Sequence, residues 1–169
     1  MMLLPYVSAD FGWGSCPSPK VLSSFDMKRA KGNWFETKID RTNILEIMFW
    51  RCTQEDYTLR PAPNDDTYDI FTPYKGWFDE YNTWGIDAGL VFPHQNGTGW
   101  VNFLGTPERD GSGFLDLPFL VLDTDYTSFI IIWSCFDFGA FYVDAMWVMN
   151  RTPHPSEETW DLVARSLKW

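Results

Sequence analysis

Short apolar runs, each cut off by glycine, proline or a polar cluster, follow one another along almost the whole chain. Runs of roughly four to eight residues rich in aromatic and β-branched side chains predict strands. The first is expected over Asn33–Asp40 and the second over Ile47–Leu59. The cluster Pro61-Ala62-Pro63-Asn64-Asp65-Asp66 marks a turn before a third over Thr67–Thr72. Trp84–Phe92 and Trp100–Leu104 come next, and the loop Thr106–Gly113 follows them. Phe114–Leu122, Tyr126–Phe136 and Phe141–Asn150 complete eight strands. Many short strands with no helix between them predict an all-β sandwich or barrel. No internal repeat or interdomain linker interrupts the series.

One helix is expected, and it comes last. Pro155-Ser156 supplies an N-cap, Glu157 and Glu158 sit at the positive end of the dipole, and Trp160, Val163 and Leu167 recur at helical spacing. In Tyr126–Phe136 both alternating faces become apolar from Phe129 onward, whereas an antiparallel strand commonly keeps one face wet. One face is therefore expected to line an interior and the other to lie under the last helix. In Phe141–Arg151, Met146 and Val148 alternate with Ala145, Trp147 and Met149, which repeats the pattern.

Composition narrows the function classes. At 169 residues and 19.7 kDa the chain suits one domain. Thirteen Lys and Arg against 23 Asp and Glu give a net charge of −10, which disfavours nucleic acid and anionic membranes as main partners. Aromatics reach 18%, including ten Trp, so the chain is not a disordered acidic one and has much ring surface to hide or to offer to an apolar ligand. No run of about 18 apolar residues exists to span a bilayer as a helix. Met1–Val7 lacks the basic region and cleavage site of a signal peptide, and the reading is of a mature chain or one whose signal has gone. Three cysteines (Cys16, Cys52 and Cys135) leave room for one bridge and one thiol, and are too scattered for a zinc site. His94 and His154 have no ligand spacing to each other or to a cysteine, so no metal is expected.

Three short pieces stand in order: Gly32-Asn33-Trp34 at the first strand, Asp123-Thr124-Asp125-Tyr126 between two late strands, and Arg151 just before the helix. A G-x-W, a T-D-Y turn and a late arginine together resemble the lipocalin pattern. The resemblance runs from Cys16 to Lys168, so residues 1–15 are read as an N-terminal extension and 16–169 as the lipocalin domain. It implies an eight-stranded antiparallel up-and-down barrel with one C-terminal α-helix packed outside. It also makes Gly32, Trp34, Thr124, Asp125, Tyr126 and Arg151 structural, shaping the closed end. Trp34 would plug that end with the Arg151 guanidinium over its indole, a cation–π contact of about 0.5–2 kcal/mol.

Within the superfamily, Cys16-Pro17-Ser18-Pro19-Lys20-Val21, Trp50-Arg51-Cys52-Thr53, Ile86–Pro93 and Arg151-Thr152-Pro153 resemble the crustacyanin-type and bilin-binding invertebrate lipocalins. That likeness implies a Cys16–Cys135 bridge. In those relatives the counterpart of Cys52 pairs with a cysteine in a C-terminal tail, which this chain lacks, so Cys52 is a buried free thiol or the mark of a truncated tail.

The likeness and the strand alternation together give a ligand-lining set. Thr53, Glu55 and Tyr57 come from the second strand, and Tyr68 and Ile70 from the third. Trp84, Ile86 and Ala88 are placed inward from the fourth. Either Trp100 and Asn102 or Val101 and Phe103 face in from the fifth, the first pair being preferred. A slip of one residue exchanges these sets. Leu117, Phe119 and Val121, then Ile130, Ile132 and Ser134, then Val143, Ala145, Trp147 and Met149 complete the lining. For each of these residues plain barrel packing is the competing reading. The pooled lining is apolar and aromatic with a few polar tips, which suits a long, flat hydrophobic molecule.

Crustacyanin-like proteins bind astaxanthin, so the resemblance implies an astaxanthin-like carotenoid, with Tyr68 and Asn102 as donors to its keto oxygens. A bilin, retinoid or fatty acid is the alternative. A carotenoid outreaches one barrel, which favours a homo- or heterodimer with a related lipocalin. An enzyme needs a base or thiol in the pocket, and alternation puts Glu55 and Cys52 on opposite faces, so catalysis is not expected. Asn96-Gly97-Thr98 is a glycosylation sequon in a turn, and a bridged chain would be secreted.

Overall fold

Alternating burial resolves into nine strands and two helices among the residues that the computed structural model describes, namely 11–39, 51–61, 68–78, 83–91, 97–103 and 115–167. In chain order they are β1 (Phe11–Trp13), α1 (Met27–Ala30), β2 (Gly32–Ile39), β3 (Arg51–Pro61), β4 (Tyr68–Phe78), β5 (Thr83–Val91), β6 (Thr98–Phe103), β7 (Leu115–Thr124), β8 (Phe129–Asp137), β9 (Phe141–Asn150) and α2 (Glu157–Ser166). Each strand from β2 to β9 pairs antiparallel with the next. β9 also pairs with β2, through Phe35↔Asn150 and Glu36↔Met149. Among the described residues eight strands therefore pair around a ring, the β5–β6 seam through Leu90↔Asn102 and Val91↔Val101 alone, the arrangement of an up-and-down barrel.

Two apolar layers lie on either side of the wall. Inside, Trp34, Tyr57, Phe119, Val121, Ile130, Ile132 and Met149 bury together with Phe25 and Ala30. Outside, Phe129, Ile131, Trp133, Cys135, Met146 and Val148 bury against Val163 of α2, with Trp160 and Leu167 beside it. The two dry faces of β8 are thus the inner lining and the seat of the helix. Ser156 caps α2, its hydroxyl accepting from the Thr159 N–H at 3.2 Å.

The Cys16–Cys135 disulfide is formed, with Cα atoms 6.1 Å apart, and ties the N-terminal arm to β8. From there the chain runs to α1, with the Leu22 N–H donating to the Val121 carbonyl. Asp26 caps α1 by accepting from the N–H groups of Lys28 and Arg29.

The observed strands depart from the expected ones in three places. β4 extends to Phe78, past the expected end at Thr72, because Pro73 and Gly76 sit within the ladder and do not end it. The expected start of the second strand, Ile47–Trp50, lies outside the described residues. β1 and α1 were not expected. β1 falls in the stretch read as an extension and pairs with the part of β9 that β2 leaves uncovered, Phe11↔Val143 to Trp13↔Phe141. The Tyr142 ring occupies the space where a Cβ on Gly12 would stand, so glycine is required for β1 to lie that close.

Candidate functional site

The closed end of the ring is built from the three short pieces singled out in the sequence. Gly32 opens β2 at φ +99°, a conformation that favours glycine, and a Cβ there would come within 3.3 Å of the Arg151 guanidinium. Two residues on, Trp34 is fully buried and its Nε1–H donates to the Ala30 carbonyl at 2.7 Å. Arg151 lies over the indole, its guanidinium carbon 3.6 Å from the ring centroid. Its N–H groups donate to the carbonyls of Arg29, Asn33 and Tyr126 at 3.0–3.3 Å.

Asp125 organises the turn that presents Tyr126. It accepts from the backbone N–H groups of Thr127, Ser128 and Phe129 and from the Ser128 hydroxyl. Partial burial pushes its carboxyl up, but these hydrogen bonds outweigh that and hold it below the ordinary range. The turn gives Tyr126 a φ of 65°, and its hydroxyl accepts from the Asp26 N–H at 3.0 Å. Every group of this end is engaged in holding the fold.

Of the residues expected on the inner face, Tyr57, Phe119, Val121, Ile130, Ile132 and Met149 meet in the inner cluster, and Trp147 packs against it. Thr53 and Ser134 are buried, and Ala145 is the cross-strand partner of Ser134. Glu55 stands opposite Trp34 in the register, on the same face as Tyr57.

Cross-strand partners share a face of the sheet, so the register carries these rows around the barrel. The row of Glu55 runs through Tyr74 to Asp87, and the row of Leu59 through Ile70, Val91 and Val101 to Leu117. Tyr68 pairs with Pro61 and keeps the parity of Ile70. Trp84 and Ile86 instead pair with Trp77 and Lys75, in the rows of the opposite face, and Ala88 pairs with Pro73 there as well. Trp100 and Asn102 pair with Pro118 and Asp116, one position off the Phe119 and Leu117 rows. Register counted from β3 and register counted back from β8 agree on this. The register thus places the backbone of Val101 in the row of Ile70, Val91 and Leu117, and that of Trp100 and Asn102 in the neighbouring rows. The side chains of Tyr68, Ile70, Trp84, Ile86, Trp100 and Asn102, and that of Cys52, lie outside the described residues.

Polar groups on the inner face are few and under-satisfied. The Ser134 hydroxyl is buried with no hydrogen-bond partner among the described residues, and the Tyr57 hydroxyl is buried beside the Glu55 carboxyl. The Glu55 residue keeps some solvent contact, yet its carboxyl is desolvated, and this with the charge of Glu36 raises it to about 7, the neighbouring Tyr57 hydroxyl offsetting part of the rise. Burial and the Glu55 charge push Tyr57 well above the ordinary phenol range. Buried polar atoms are normally paired within a protein. Glu36 was not among the residues expected from the sequence; the register sets it opposite Met149.

No family model matches the chain. Rat (Rattus norvegicus) apolipoprotein D is 26% identical over 152 residues, covering 88% of this chain and 72% of that protein. Among solved structures, lobster apocrustacyanin A1 superposes with a TM-score of 0.68 at 14% identity, over 96% of this chain and 86% of that one. Insecticyanin from the tobacco hornworm Manduca sexta gives 0.69 at 20% identity, over 94% and 80%.

Proposed function

The chain belongs to the lipocalin superfamily, and from this we propose that it carries a hydrophobic small molecule, an astaxanthin-like carotenoid, inside its barrel as a secreted coloration protein. The observation that supports the reading most is a largely apolar inner face that buries a few polar groups, the Ser134 hydroxyl unpartnered among the described residues and the Tyr57 hydroxyl beside the Glu55 carboxyl. Packing alone leaves such groups at a cost of about 1–3 kcal/mol each. A guest with keto or hydroxyl ends offers them partners. Tyr57 and Ser134 join Tyr68 and Asn102, the donors expected from the sequence, as proposed donors toward the keto oxygens. Thr53, Glu55, Tyr68, Ile70, Phe119, Val121, Ile130, Ile132, Ala145, Trp147 and Met149 make up the rest of the proposed lining. The activity proposed is binding, with no turnover.

A carotenoid longer than the barrel would protrude, and the protein has a surface suited to share it with a related subunit. Trp13, Phe11, Phe141, Phe138 and Phe136 form a ladder of rings with successive centroids 4.9–6.4 Å apart. Phe11 and Phe138 are 59% exposed and Trp13 80%. A continuous exposed aromatic patch of this kind suits a protein interface.

The absorption spectrum of protein from its natural source, with mass analysis of a solvent extract, tests the ligand. A visible band and a released polyene are expected. A released bilin, retinoid or fatty acid would replace the carotenoid while keeping the carrier, and neither band nor extractable guest would overturn both.

A further inference from the structure

The inner rows of β8 and β9 run on past the buried core. They climb from Ile130↔Met149 through Ile132↔Trp147 and Ser134↔Ala145 to Phe136↔Val143, and the pairing has no break along the way. β1 widens the last rungs, setting Phe11 beside Val143 and Trp13 beside Phe141. Cross-strand partners share a face of the sheet. Phe136, Phe141, Phe11 and Trp13 therefore stand on the face that Ile130, Ile132 and Met149 turn to the inner cluster. Tyr142 marks the opposite face, where it packs with the outer cluster and covers Gly12. Phe138, in the turn after β8, stacks on Phe141 with ring centroids 4.9 Å apart.

These rings lie at the far end of the barrel from the plug. β9 ends at Asn150, next to the Arg151 that covers Trp34. Phe141 begins the same strand, about 30 Å away at a rise of about 3.3 Å per residue. Burial falls along that path: Ile130 and Met149 are fully buried, Phe136 and Phe141 half-buried, and Phe11, Trp13 and Phe138 exposed. The exposed rings are thus the inner face where it reaches the mouth. A single exposed ring is ordinary, whereas rings in mutual contact make a continuous apolar surface. Stacked and edge-on ring pairs gain from their quadrupoles as well as from buried area. Such a surface favours a flat π-system over a saturated chain.

We propose that Phe11, Trp13, Phe136, Phe138 and Phe141 form a subsite at the mouth that stacks on the flat, conjugated end of the guest where it leaves the barrel. This rests on the interior being a guest cavity and adds what the mouth selects: conjugated or ring-ended molecules over saturated lipids. It also gives β1 a part in binding, since two of the rings are its own, and the Cys16–Cys135 bridge anchors the arm just after Trp13.

Two probes of one chain length test it, dodecanol and a dodecanol capped with pyrene, each titrated into the purified protein while tryptophan fluorescence is followed. The pyrene-capped alcohol is expected to bind at least about tenfold more tightly than dodecanol. Phe11→Leu with Trp13→Leu keeps apolar surface on β1 but removes its rings. That variant is expected to cut the preference to within about threefold and to leave dodecanol affinity within about twofold, which also reports that it is folded. Phe138→Leu, at an exposed turn position, repeats the test without touching β1 and is expected to cut the preference at least about twofold. An undiminished preference in both variants would overturn the subsite, and so would binding of both probes by the unaltered protein without preference. A change from dimer to monomer in the variants with the preference intact would assign the rings to a second copy of the chain and overturn it too. Binding of neither probe by the unaltered protein would overturn the guest cavity itself.

Discussion

Desolvation and the charge of Glu36 raise the Glu55 carboxyl, so the folded chain holds a proton there up to about pH 7. Between the ordinary value of 4.5 and about 7 the folded state binds a proton that the unfolded state has released, so stability falls as pH rises through that window. Above it the ionised group costs about 3–4 kcal/mol in the empty protein. Glu55→Gln is therefore expected to raise the melting temperature by about 5–10 °C at pH 8 and to give no gain near pH 4.5. Differential scanning calorimetry at both values checks this, and an equal gain at both would show that the carboxyl is not desolvated. Asp125 has the opposite sign. Its carboxyl is held down by hydrogen bonds from the turn, so its contribution is present above the ordinary aspartate value and is lost as pH falls through the lower folded one. The floor of the cup and its lining thus respond to acid in opposite ways, one loosening and the other relaxing.

Elements are held in place by a few long-range ties. The Cys16–Cys135 bridge spans 119 residues and in the chain-entropy model stabilises by roughly 3–5 kcal/mol. Replacing both cysteines by serine is expected to lower the melting temperature by about 10 °C while leaving the far-ultraviolet spectrum unchanged. A loss of under about 2 °C would show that the arm is held by Leu22, Phe25 and Asp26 alone. The eight strands, the last helix and the closed-end residues were legible because each rests on a local signal: a run between breakers, an N-cap, or a residue triplet. The facing of β5 and β6 was not. Bulges at Glu36/Lys38, Arg51/Gln54 and Val121/Asp123 each break the alternation that carries parity from strand to strand. β5 also places its large residues, Trp84 and Ile86, in rows that pair away from Tyr57, while Gly85, Asp87 and Gly89 take the other rows. Ile86→Glu, set opposite Lys75, is expected to leave guest affinity within about twofold, measured by the same fluorescence titration. A loss of binding would restore the inward facing of that position. β1 escaped notice because three residues with a central glycine carry no periodicity.

At the scale of the molecule, ring closure is the property from which the others follow. A sheet whose last strand pairs with both its neighbours has an inside that only its mouth can reach, and the side chains there either fill it or line it. The exposed ring ladder from Trp13 to Phe136 lies at the mouth of that interior, where β1 meets the β8–β9 turn. If it is also a subunit interface, Trp13→Ser with Phe138→Ser shifts the sedimentation coefficient to that of the monomer. A single species of monomer size in the unaltered protein would remove the shared-pigment arrangement. The central claim is that the closed barrel holds a guest, and the native mass spectrum of protein purified from its source under non-denaturing conditions tests it most directly. The account predicts a subunit heavier than the chain by one stoichiometric small molecule, which is lost on denaturation. A native mass equal to that of the chain alone, unchanged when carotenoids, retinoids or long-chain alcohols are added, would contradict it.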